Sequence, residues 1–216
     1  MANIFHEIDE DLRRERLKRI WDRFGGLILA MVVLVVAAVG GWRGYEYYQN
    51  QRARESGSQF EAAMALADGD QSAEAEKAFA KIAADGTSGY RLLARLREAE
   101  AMAARDRAGA IDLFDKIAAD SSGGPRFQDL ASVRAGYLLV DNAAYAELEK
   151  RLEVASGSQR PFRHSAREIL ALSAFKAGDA QGLKRWADAI NSDAETPVAM
   201  RARVEALLSL SNVAKG

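Results

Sequence analysis

The sequence predicts an all-α protein: an N-terminal transmembrane helix followed by a helical-repeat solenoid. Three observations carry that expectation. An uncharged stretch runs from Phe24 to Trp42, a short motif recurs at intervals near 35 residues, and only three prolines occur in 216 residues. The periodic runs are rich in Ala, Leu, Arg, Glu and Lys, which lose little rotamer freedom in a helix. Composition narrows the function classes as well. With 49% hydrophobic residues the chain is not disordered. Thirty basic against 31 acidic residues give a net charge of -1, so no chain-wide positive field draws nucleic acid. Zero cysteines remove disulfides, thiolate nucleophiles, cysteine-rich zinc sites and lipidation at Cys. His6 and His164 are the only imidazoles, and neither a metal nor a cofactor is expected.

The stretch from Phe24 to Trp42 contains 19 consecutive uncharged residues. At ~1.5 Å per helical residue it comes close to spanning a hydrocarbon layer of ~30 Å. A core helix of a soluble domain would need a polar face, and Leu27 to Val39 has none. Orientation follows from the basic flanks. Arg13, Arg14, Arg16, Lys18, Arg19 and Arg23 precede the span, whereas only Arg43, Arg52 and Arg54 follow within 20 residues. The N-terminus is therefore expected in the cytoplasm and everything beyond Arg43 outside it. Trp42, Tyr45, Tyr47 and Tyr48 would form an aromatic belt at the outer interface. The long charged flank and long apolar run favour an uncleaved anchor over a cleavable signal peptide. Gly40, Gly41 and Gly44, beside Trp42 and Tyr45, are candidate membrane-docking residues, because small residues four apart let another helix approach closely.

The cytoplasmic charged segment, residues 1–23, balances six basic against six acidic residues. Apolar residues at Ile4, Phe5, Ile8 and Leu12, then at Leu17, Ile20, Trp21 and Phe24, keep helical spacing in two short runs. A short amphipathic helix is expected there. The transmembrane helix covers 24–42, a juxtamembrane helical linker covers 43–56, and the repeat domain covers 57–216.

Within the repeat domain, KAFAKIAAD at residues 77–85 returns as DLFDKIAAD at residues 112–120. Small residues followed four positions later by large apolar ones occur at Ala75/Phe79, Ala110/Phe114, Ala144/Leu148 and Gly182/Trp186. The successive offsets of 35, 34 and 38 match the tetratricopeptide class, whose ~34-residue helix-turn-helix unit carries such a contact in its second helix. Helix pairs are expected at 57–68 with 72–84, 89–105 with 108–119, 126–140 with 143–155, and 162–177 with 180–191, closed by 197–213. Pro125, Pro161 and Pro197 each open a helical pattern, where a missing N–H is harmless. Units of this kind bury their stripes only by stacking.

No nucleotide-binding, zinc-protease or nucleophile-elbow motif is present, and an enzyme is not expected. A repeat solenoid offers instead a concave face of first helices that holds a peptide or partner helix. The candidate partner-binding residues on that face are Arg95, Met102, Arg126, Tyr137, His164, Arg167 and Phe175. His164 is read as an exposed residue among arginines.

The acid- and base-rich N-terminus, the span leaving the bilayer as Gly41-Trp42-Arg43-Gly44-Tyr45, and the segment from Gly89 to Asp120 together resemble the YfgM-like ancillary subunits of the bacterial Sec translocon. The resemblance covers essentially the whole chain. It implies a single-pass type II protein of the bacterial inner membrane with its repeat domain in the periplasm. It also implies association with Sec translocon subunits, with a membrane-anchored periplasmic chaperone of the prolyl-isomerase type, and with exported polypeptides. No catalytic residues come with the family. The competing expectation is a type II envelope scaffold for cell-wall or outer-membrane assembly, or self-association, without contact with export substrates. The topology has a direct check: protease added to intact spheroplasts is expected to digest the chain beyond Arg43 and spare the first 23 residues.

Overall fold

The computed structural model describes the backbone of residues 3–213 and the side chains of residue 18 and residues 21–211. The expected apolar positions from Ile4 to Leu17, together with Ile20, lie outside the described side chains, as do His6, the basic residues Arg13, Arg14, Arg16 and Arg19, and the acidic residues before Lys18. Among the described residues the regular structure is helical throughout. The chain divides into two compact units, Met1–Arg54 and Glu55–Gly216.

In the first unit, α1 (Asn3–Asp68) contains the apolar stretch. It is long and apolar enough to cross a membrane, and its large side chains stand open, with Leu34 68% and Val36 65% exposed. A core helix would be covered by protein. An exposed apolar surface of this extent is compatible with a single membrane span.

The second unit holds the C-terminal end of α1 and α2 (Ser72–Asp85), α3 (Ser88–Ala103), α4 (Arg107–Ala119), α5 (Gly124–Leu139), α6 (Tyr145–Leu152), α7 (Arg163–Lys176), α8 (Ala180–Asn191) and α9 (Val198–Val213). A 3₁₀ turn, Ser121–Gly123, leads into α5. Most boundaries fall where the glycine and polar breaks put them. The core forms four clusters in chain order, each shared by two first helices and the second helix between them. Ala63, Phe79, Ile82 and Ala94 join α1, α2 and α3. Leu96, Phe114, Ile117 and Ala135 join α3, α4 and α5. Val133, Leu148, Leu152 and Ile169 join α5, α6 and α7. Ala171, Leu183, Ile190 and Val204 join α7, α8 and α9.

Two columns of large positions run through the second helices. Phe79, Phe114, Leu148 and Leu183 recur at 35, 34 and 35 residues, and Ile82, Ile117, Leu152 and Ala187 at 35 throughout; all are at most 2% exposed. The fourth unit's contact is therefore Leu183 and Ala187, not Gly182/Trp186, and the offset of 38 was a slip of three residues. Trp186 is too large for the enclosed position. It lies at the edge, its indole N–H donating to Tyr145 Oη at 2.8 Å. Ala144 is likewise not a core residue: it is exposed and serves as the N-cap of α6. Asp179, one repeat on, is the N-cap of α8. Relative to the first two units, α6 and α8 start one turn later, which is why the small residue before the large one fades from the later repeats.

Two local features differ from expectation, and a third, the capping of α4 and α8, was not anticipated. Pro125 sits inside the first turn of α5, but Pro161 and Pro197 precede their helices, and the Pro197 carbonyl accepts the first bonds of α9 from Met200 and Arg201. α6 ends at Leu152 rather than 155, in a turn where Ser156 Oγ donates to the Glu153 carbonyl. The Asp106 and Asp179 carboxylates cap α4 and α8 by accepting from Gly109 and Gly182 N–H, each at 2.9 Å. A Cβ on Gly182 would stand 2.6 Å from Asp179 Oδ2 and 2.9 Å from Tyr145 Oη, so these side chains would have to shift to admit one.

Some of the ion pairs follow the same period. Glu100–Arg134 (3.2 Å) and Glu168–Arg203 (2.6 Å) link successive first helices, while Asp115–Arg151 and Glu149–Arg185 link successive second helices. Exposed pairs contribute at most about 1 kcal/mol each. The apolar columns dominate stability: Phe114→Ala is expected to lower unfolding stability by about 3–5 kcal/mol, measured by urea denaturation.

Candidate functional site

The first helices α5, α7 and α9 border a groove of about 540 Å³. Tyr137, Val140, Leu172 and Leu207 give it an apolar floor, and Tyr137 is 46% exposed. Its charged groups, Glu168 and Arg203, neutralise each other. A more open hollow of about 660 Å³ on the second-helix side is bordered by Tyr145, Asp179 and Arg185, but its charges are also paired, Arg185 with Glu149 and Lys184 with Asp188. The first-helix groove is the better receptor, because it offers apolar surface whose burial favours binding.

Of the seven candidate partner residues, only Tyr137 borders this groove. Arg95 instead bonds Asp120 at 2.6 Å, and that contact holds the Asp120 carboxyl down at about 2. Met102 closes the end of α3, its carbonyl accepting from Arg105 and Asp106 N–H. Arg126 is exposed beside Pro125, Phe127 and Pro161 in a separate hollow. Phe175 packs at the edge of the cluster of Ala171 and Leu183. The candidate membrane-docking residues lie together on α1: Gly40, Gly41 and Gly44 have open space around them, and Trp42 and Tyr45 are 71% and 59% exposed.

Arg167 and His164 are structural rather than open. Arg167 is buried, its Nε donating to the Ser156 carbonyl at 2.9 Å and its Nη1 to the Ala189 carbonyl and Asp193 Oδ2, each at 3.1 Å. Helical spacing gave both residues to one face without revealing that the turn after α6 folds over it. Arg160, in that turn, makes a forked contact with buried Asp129, with Nε at 2.8 Å from Oδ2. The sequence reading missed this pair, because no spacing rule links residues 31 apart.

His164, Asp193 and Glu195 bring ligand atoms within 4.8 Å of one another. The carboxylates are not free to take a metal ion. Arg163 bonds both of them, and Arg167 bonds Asp193 again. Hydrogen bonding to Arg163 holds the Asp193 carboxyl far below its usual range. The cluster is an electrostatic lock joining the start of α7 to the turn before α9.

Residues 18–169 match the family model of the tetratricopeptide repeat-like domain. The chain belongs to that family. No curated protein and no solved structure matches it. Tetratricopeptide repeat-like domains generally mediate protein–protein interactions through stacked helix pairs, and the domain here accordingly marks the chain as an interaction module.

His164 carries a further consequence. The Thr196 hydroxyl donates to the Ile190 carbonyl at 2.8 Å, so its 3.1 Å contact with His164 Nδ1 is a bond donated by the imidazole. Burial, then the Arg163 charge, lowers the His164 pKa. A lowered folded pKa means stability is full above the unfolded value of ~6.5 and falls as pH drops through the folded value. Thermal melts should therefore show wild-type stability declining as pH drops below ~6.5, with a shallower slope in His164→Asn.

Proposed function

We propose that this protein is a membrane-tethered interaction module of the bacterial Sec translocon. It stands on the inner membrane as a single-pass type II protein, N-terminus in the cytoplasm and repeat domain in the periplasm. There it engages a membrane-anchored chaperone of the prolyl-isomerase type and newly exported polypeptides. The observation that carries the reading is the pairing, in one chain, of a tetratricopeptide repeat-like domain with an exposed apolar helix. The excess of basic residues before Phe24 supports the orientation. Similarity at Gly41 to Tyr45 and from Gly89 to Asp120 to YfgM-like subunits supports the translocon assignment. The reading is one of action by binding, and among the described residues the carboxylates of the His164 cluster are bonded to Arg163 and Arg167.

The groove chemistry fits this role. An apolar floor with internally paired charges selects little by sequence and suits segments of unfolded chains or an apolar partner surface. Affinity need not be high. Tethering beside the exit site supplies an effective concentration of up to about mM.

Photo-crosslinking in cells tests the proposal. Probes at Trp42 to Tyr48 are expected to trap translocon subunits, and probes at Tyr137 and Leu172 to trap the chaperone or exported chains. No adducts from a functional protein would reject it. Adducts confined to wall-synthesis proteins would favour an envelope scaffold.

A further inference from the structure

The approaches to the first helices α5 and α7 enclose a hollow of about 540 Å³. Gly124 turns the chain into α5 at a φ of +71°, a conformation that favours glycine. Gly123 leaves room for Phe127 behind it, since a Cβ there would stand 2.9 Å from Phe127 Cβ. Phe127 and Pro161 are the apolar walls of the hollow.

Its charged lining is of one sign. Arg126, Arg160 and Arg163 border it, and no carboxylate does. The other two hollows mix signs: the first-helix groove includes Glu168, and the second-helix hollow includes Glu149, Asp179 and Asp188. The three arginines are not equivalent. Arg163 is spent on Asp193 and Glu195. Arg160 is held from behind by buried Asp129, to which its Nε and Nη2 both donate, and this leaves Nη1 for a second acceptor. Arg126 is exposed and has neither a hydrogen bond nor an ion pair among the described residues. Gln159 adds an exposed amide that can pair with a peptide group. One free guanidinium beside one pre-positioned guanidinium, between apolar walls, is matched by a carboxylate carried next to an apolar side chain.

We propose that this hollow binds an extended acidic segment of a partner protein, a carboxylate meeting Arg126 and Nη1 of Arg160 while a neighbouring aromatic side chain packs against Phe127 and Pro161. A polypeptide carries both groups on adjacent residues. Recognition of an anionic lipid surface draws instead on clusters of 4–8 cations, and here Arg160 and Arg163 are already neutralised by carboxylates of the chain itself. The hollow shares no lining residue with the Tyr137 groove, so the proposal stands apart from the translocon reading.

The probe is a fluorescein-labelled hexapeptide, Asp-Glu-Phe-Asp-Glu-Phe, titrated with the full-length protein in detergent micelles and followed by anisotropy. Saturable binding is expected, weakened about tenfold or more by Arg126→Glu or by replacing the peptide's acids with their amides. Arg126 is exposed, and an unchanged far-UV circular dichroism spectrum and melting curve certify the fold of the variant. Arg91→Glu, the same charge change at an exposed position outside the hollow, and Tyr137→Gln, in the groove, are expected to leave affinity unchanged. No saturable binding, equal binding of the amide peptide, or an equal loss in Arg91→Glu or Tyr137→Gln would overturn the proposal. So would displacement of the probe by dihexanoyl phosphatidylglycerol at a lower concentration than by unlabelled acidic peptide, since a lipid headgroup would then be the occupant.

Discussion

The buried apolar residues of the second unit are shared among helices that follow one another in the chain. Each of the four clusters belongs to three consecutive helices, and the columns through Phe79 and Ile82 repeat in them at nearly constant spacing. No single long-range contact holds the domain together. Stability is close to a sum of neighbouring interfaces, as expected when repeat units interact only with those beside them.

Polar interactions refine this arrangement rather than create it. Five ion pairs among the described residues join positions 34–36 residues apart, where they favour one register over a slip. Two sets are different. Asp129 with Arg160, and Arg167 with Asp193, place charges in covered surroundings and tie the turns flanking α7 onto the helices. Removing one partner of such a pair leaves a buried charge behind and costs several kcal/mol, roughly 3–5. The arginines that helical spacing offered as binding residues are thus partly the fasteners of the loop that crowns the repeat.

Much of the fold was legible because its signals are local. Charge-free length marked the apolar stretch, and glycine and polar breaks placed α2, α4 and α8 within about a residue of their observed bounds. The repeat itself was visible through KIAAD. The last repeat's register was not, because α6 and α8 begin a turn later and lose the small residue that signalled the contact. The candidate site was less legible still. Tyr137 was among the residues expected on the first-helix face, but Leu172 and Leu207 beside it were not, and whether a first-helix residue faces a groove or a folded-over turn depends on chain segments about 30 residues away. Arg167 illustrates the point: its spacing puts it on the right face, and the turn at Ser156 then covers it.

The proposed role requires that the helical-repeat domain hold other proteins at a membrane. Affinity purification of the full-length protein from gently solubilised membranes, with identification of what copurifies, tests that claim most directly. The account predicts stoichiometric recovery of translocon subunits together with a membrane-anchored chaperone. Recovery of the protein alone, or from the soluble fraction without membrane partners, would contradict it.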